Sequence, residues 1–230
     1  MRSYLEYSKS MPKVDKLDPK NFKNIDKIIE LSQGVKQKAI KIEHLDKWQL
    51  RFPMCKKFIS QLPTELHRKN VAKIVREQII KNQYLNAYVV VCIWGQGNMG
   101  AGAYRSSQIL NNGHYKEFLK VTTDLVLANK YSDAFDLYKL KRLKGLNLAF
   151  MSKYWYFVSF YNKEKLLILD KVISDYLSKL NYGKFKPSGT NKDNYFAYLD
   201  LMKKFKKKYG LSPDKIEELI FVHVNNNWGQ

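Results

Sequence analysis

The run Tyr84–Trp94, YLNAYVVVCIW, carries no charge and one amide, so any fold of this chain must seal it on every side. Periodicity does not separate a buried strand from a buried helix in a segment this short. The patterns on either side are helical, and the run is expected to be a helix. Directly after it comes GQGNMGAGAYRS, residues 95–106, which holds four of the eleven glycines. This predicts a loop whose backbone can approach another group closely.

The remaining segments also carry helical periodicity. Phe22, Ile25, Ile28 and Ile29 follow an Asp18-Pro19 start and precede Gly34, which predicts a first helix. Pro53 and Pro63 break the next stretch into short helices around a tight turn. Thr64 then opens a longer helix with Leu66, Val71, Ile74, Val75 and Ile79 as its buried stripe. Helices are expected at about 114–129 and 132–143, then near Asp170, at about 192–208 and at about 213–224. The last of these starts at Pro213, with Ser212 as its N-cap. The expected fold is all-α, in one globular unit or two closely packed helical lobes, with a flexible N-terminal stretch over about residues 1–17.

Charge limits the partner more than the fold. Forty-one Lys and Arg against twenty-one Asp and Glu leave a formal charge of +20, which points to a polyanion. Nucleic acid is the first candidate and an anionic membrane surface the second. The Lys-rich run KKFKKKYG at 203–210 can contact phosphate, or serve only as the basic end of a helix. Two cysteines, Cys55 and Cys92, are too few for a disulfide framework or a cysteine-ligated cluster. His44, His67, His114 and His223 fall in separate elements, so no metal or cofactor is expected. The N-terminus has no signal-like apolar core, and no run approaches the roughly 18 apolar residues of a membrane span. A soluble, cytoplasmic protein is expected.

Over about residues 134–160 a helix, a break at Lys144-Gly145 and a second aromatic-rich helix form a helical hairpin. The second helix carries Lys153, and Asp170 opens the element that follows. Gly145-Leu146-Asn147, Ala149-Phe150-Met151-Ser152-Lys153 and Leu167-Ile168-Leu169-Asp170-Lys171-Val172-Ile173 resemble the helix-hairpin-helix DNA glycosylase superfamily. With the upstream Trp94-Gly95-Gln96-Gly97, they resemble its 8-oxoguanine-glycosylase-like, OGG-fold branch. The resemblance spans roughly residues 45–180. It implies a single DNA glycosylase domain acting on double-stranded DNA as a monomer, by base excision and base flipping. The branch is also similar to an anti-phage glycosylase that removes glucosylated hydroxymethylcytosine.

A hairpin turn beside a helix N-terminus presents backbone N–H groups to a DNA phosphate, with Arg142, Lys144, Gly145 and Asn147 as the expected contacts. Breaking an N-glycosidic bond builds oxocarbenium-like charge on the sugar, which a fixed carboxylate stabilises. The resemblance implies this role for Asp170, whose alternative is a helix cap. Lys153 is either a second catalytic group, whose amine would form a Schiff base and cut the strand, or a surface lysine. In the family the lysine follows a Gly-x-Gly turn. Here Asn147 replaces the second glycine, which favours a monofunctional hydrolase. A flipped base needs stacking and polar groups, and Trp94, Gln96, Tyr104, Arg105 and the C-terminal Trp228 are the expected pocket residues.

Three functions compete: excision of a bulky modified base such as the phage one, 8-oxoguanine repair with or without lyase action, and DNA binding without catalysis. All three predict salt-sensitive duplex binding. The affinity should fall about 10³-fold or more between 50 and 200 mM salt if six or more phosphates are contacted. Salt-independent affinity in a filter-binding titration would contradict the polyanion assignment.

Overall fold

The computed structural model describes residues 25, 26, 28, 29, 37–96 and 101–227, with side chains to residue 224. The expected flexible stretch 1–17, most of the first helix, residues 97–100 and Trp228 lie outside the described residues. Residues 25, 26, 28 and 29 are helical, with Ile25 and Ile28 buried, in line with the expected first helix. The described secondary structure is almost wholly helical. The chain divides into two compact units, one of Lys38–Ile168 and one of the segments flanking it.

In the first unit, strands β1 (Ile40–Lys41) and β2 (Glu65–Leu66) pair antiparallel, Ile40 opposite Leu66. Around them come α1 (Leu45–Arg51), a 3-10 turn at Pro53–Cys55, α2 (Lys56–Ser60) and α3 (Arg68–Ile80). Helix α3 starts at Arg68 rather than at Thr64. The Thr64 carbonyl accepts from the Ile42 amide (2.8 Å) and Leu66 is held in β2, so the buried leucine belongs to the strand pair. The buried face of α3 is Val71, Ala72, Val75 and Gln78, with Ile74 and Ile79 half-buried.

The apolar run is a helix, α4 (Tyr84–Gln96), and every residue from Ala87 to Trp94 is buried. Val89, Val90 and Val91 have modest helix propensity, and burial on all sides overrides it. Helices α3, α5 (Gly102–Ser107), α6 (Tyr115–Leu127) and α8 (Leu148–Val158) pack around it. Residues 102–107 are therefore helical where a loop was expected, and Tyr104 and Arg105 stand on α5. Helix α7 (Tyr131–Lys141) leads into the hairpin and α8.

Helix α8 is tied in by aromatic packing. The Trp155 ring lies 5.8 Å from that of Phe135 and 5.9 Å from that of Tyr138, joining α8 to α7. Its Nε1–H donates to Thr122 Oγ1 on α6 (3.0 Å), and Tyr154 shares a hydrogen bond with Thr123 (2.8 Å). These hydroxyls satisfy the polar tips of rings that are otherwise entirely inside.

The second unit contains α9 (Lys171–Lys179), α10 (Lys192–Tyr209) and α11 (Pro213–Asn227). Helix α11 packs on both others, around Ile173, Leu177, Tyr198, Phe205, Ile216 and Ile220. These helices are capped, α11 by Ser212 as expected. Asn191 accepts from Asn194 (3.1 Å), Gly210 ends α10 with φ +68°, and Ser212 Oγ accepts from Lys215 at α11 (3.4 Å). The run at 203–210 is the C-terminal turn of α10, where positive charge suits the macrodipole. There Lys208 pairs with Asp26 (2.9 Å).

Replacing Trp155 by Ala removes a buried ring and strands the Thr122 hydroxyl. The loss expected is about 4 kcal/mol in urea unfolding, against under about 2 kcal/mol for Trp155→Phe. Equal losses would contradict the central place given to this side chain.

Candidate active site and nucleic-acid face

Helix α4 ends in a buried polar side chain. Gln96 is 3% exposed, and neither its Nε2 nor its Oε1 has a hydrogen-bond partner among the described residues. Leaving such a group unpaired costs about 1–3 kcal/mol, so its retention needs a reason. Two glycines press on this corner. A Cβ on Gly102, at the start of α5, would lie 2.7 Å from Gln96 Cβ. A Cβ on Gly95 would lie 2.9 Å from Lys153 Cδ on α8. Each glycine lets another element close in where a methyl group would collide.

Lys153 is 8% exposed and sits among Met151, Tyr154, Trp155, Tyr156 and Phe157 on a helix buried nearly all round. The surface-lysine alternative is thereby excluded. One turn before Gln96, burial pushes the Cys92 thiol up to about 11, against the smaller downward pull of Tyr88, Ser106 and the Lys153 charge. At neutral pH Cys92 is therefore a neutral thiol.

The other expected pocket residues separate. Trp94 is 5% exposed, with Phe157 edge-on at 4.9 Å and the Arg68 guanidinium 5.5 Å from its ring centroid. Arg68 also lies 5.3 Å from the ring of Tyr156. Trp94 is thus a wall behind the corner rather than an open stacking face. Tyr104 and Arg105 are exposed on α5, and the Arg51 guanidinium of α1 lies 5.0 Å from the Tyr104 centroid. Arg51 and Arg68 had no periodic or motif signal that could have singled them out.

The hairpin turn carries its polar residues outward. Arg142, Lys144, Gly145 and Asn147 are exposed, while Leu143, Leu146 and Leu148 anchor the turn inside. Arg142 (φ +39°) and Gly145 (φ +80°) are both left-handed. A Cβ on Gly145 would meet Gln108 Cβ at 2.5 Å and the Arg105 carbonyl oxygen at 2.8 Å, so the turn rests directly on the end of α5. The Lys144 amide donates to Asn112 Oδ1 (3.3 Å). Asn147 Oδ1 accepts from Phe150 (3.1 Å) as the N-cap of α8, whose first-turn amides precede any intrahelical acceptor.

In the second unit, Asp170 is the half-buried N-cap of α9. Its Oδ1 accepts from the Ile173 amide (3.1 Å), which fixes the carboxyl group. Among the described residues no three of His, Cys, Asp and Glu gather as metal ligands would, and no helix is long and apolar enough to cross a membrane. A cleft of about 340 Å³ at the other end of α4, lined by Met54, Cys55, Tyr84, Tyr115, Lys116 and Leu119, is separate from this corner.

The described residues thus form an almost wholly helical protein with a sharply turned, basic helical hairpin and a buried polar corner. Residues 33–221 match the family described as "Putative 8-oxoguanine DNA glycosylase OGG-like protein", and the chain belongs to that family. No curated protein and no solved structure gives a significant match. DNA is the partner that membership in a DNA glycosylase family implies.

If Gln96 is kept for a ligand, removing its polarity should favour folding and abolish function. Gln96→Leu is expected to gain up to about 1 kcal/mol in urea unfolding, with loss of specific excision. A destabilised Gln96→Leu would show that the carboxamide serves the fold.

Proposed function

We propose that this protein is a DNA glycosylase that extrudes a modified base from the duplex and hydrolyses its N-glycosidic bond, leaving an abasic site. The observation that carries this reading is the Gln96 carboxamide, buried with no partner among the described residues, one residue from the glycine that packs on Lys153. A carboxamide offers a donor beside an acceptor, which matches the paired groups on the edge of a nucleobase. It gains most from such a ligand when water is already excluded.

The hairpin takes a phosphate of the same strand through Arg142, Lys144 and the backbone at Gly145 and Asn147, which positions the strand without reading its sequence. Asp170 stabilises the cationic sugar and orients or deprotonates the attacking water. Its capping bond supports the assignment, because a carboxylate already held in place needs no reorganisation when charge develops. Both 8-oxoguanine and glucosylated hydroxymethylcytosine present a donor next to an acceptor. The substrate proposed is a modified base of this kind, and excision of the glucosylated base would make the role antiviral.

A second reading is favoured by the burial of Lys153. Its neutral amine would attack C1′ as the glycosidic bond breaks and the base departs with a proton, giving a Schiff base that leads to strand cleavage. Borohydride trapping separates the two, since only this route leaves a protein–DNA adduct that Lys153→Gln abolishes.

Asn caps helices about as well as Asp, so Asp170→Asn tests charge with little effect on the fold. Abasic-site formation is expected to fall about 10²-fold or more while duplex binding is retained. Undiminished excision by this variant would remove Asp170 from the mechanism.

A further inference from the structure

The Arg51–Tyr104 pair takes no part in the chemistry above, yet α5 holds it at a particular place. This helix has only six residues and spans about 9 Å. Gly102 presses its start onto Gln96, and the Arg105 carbonyl at its other end lies under Gly145 of the hairpin turn. Between them Tyr104 is 52% exposed, with the Arg51 cation over its ring. One short element therefore joins the buried carboxamide, the turn proposed for phosphate and an outward aromatic ring.

A flipped nucleotide leaves a gap whose unstacking costs a few kcal/mol, and side chains that enter the stack offset that cost. We infer that Tyr104 is the plug: it enters the space the extruded base vacates and stacks on a neighbouring base. Arg51 holds the ring upright and brings its charge to the phosphate backbone. This rests on the base-flipping reading of the same site and moves Tyr104 from the pocket to the duplex side of α5. The exposed Tyr161, with Arg76 at 4.9 Å, is chemically alike but lies beyond the opposite end of α8 from the hairpin. It serves as the control.

The experiment uses a duplex with a stable abasic analogue, which needs no base in the pocket, and 2-aminopurine as the unpaired base opposite. The wild-type chain is expected to quench the 2-aminopurine emission. Tyr104→Phe and Tyr161→Ala should quench equally, while Tyr104→Ala should lose the quenching and bind roughly ten-fold more weakly. Quenching by Tyr104→Ala equal to wild type, or none by wild type, would overturn the plug. Quenching that depends on Tyr104, in a protein that releases no base from any DNA, would sink the glycosylase reading and leave the plug standing.

Discussion

The architecture of the first unit depends on one conflict: a helix buried along nearly its whole length ends in an amide with no partner among the described residues. Helix α4 contributes apolar surface along its whole length, and the cost of a silent Gln96 is absorbed by that packing. A carboxamide held dry, with no partner among the described residues, would gain from any ligand that brought complementary groups. That makes it a better discriminator than the same group in water, where a solvent molecule would already satisfy it.

The glycines around this corner are best understood as permissions for close approach. Gly95 admits the Lys153 stem, Gly102 admits Gln96, and Gly145 admits the side chain of Gln108 and the Arg105 carbonyl beneath the hairpin turn. Only Gly145 among these also needs a left-handed backbone. Together they bring α4, α5, α8 and the hairpin into register, so that groups distant in sequence occupy one corner of the unit. The Trp155 ring and its hydrogen bond to Thr122 hold α8 in place, and with it Lys153.

Much of this was legible in the sequence where a single pattern dominated. The lack of charge in residues 84–94 required burial, and the break at Lys144-Gly145 located the hairpin turn. Asp170 was open to both a capping and a catalytic role, and its bond to Ile173 makes the cap a fact without weighing against the other. Misplaced elements were those decided by tertiary pairing. Leu66 fitted a helical stripe but is captured by Ile40, and Gly102 looked like loop material although it starts a helix against Gln96. The buried state of Lys153 was hidden because its helix has hardly any polar face to contrast with it. Arg51 and Arg68 act through ring faces supplied by other elements, for which a linear pattern holds no mark.

The central claim is that this fold exists to release a base, and mass spectrometry of free bases tests it most directly. The full chain would be incubated with oxidised duplex DNA and with phage DNA carrying glucosylated hydroxymethylcytosine. The account predicts one modified base in the soluble fraction, matched by abasic sites in the DNA. Tight binding to both DNAs with no base released from either would contradict it.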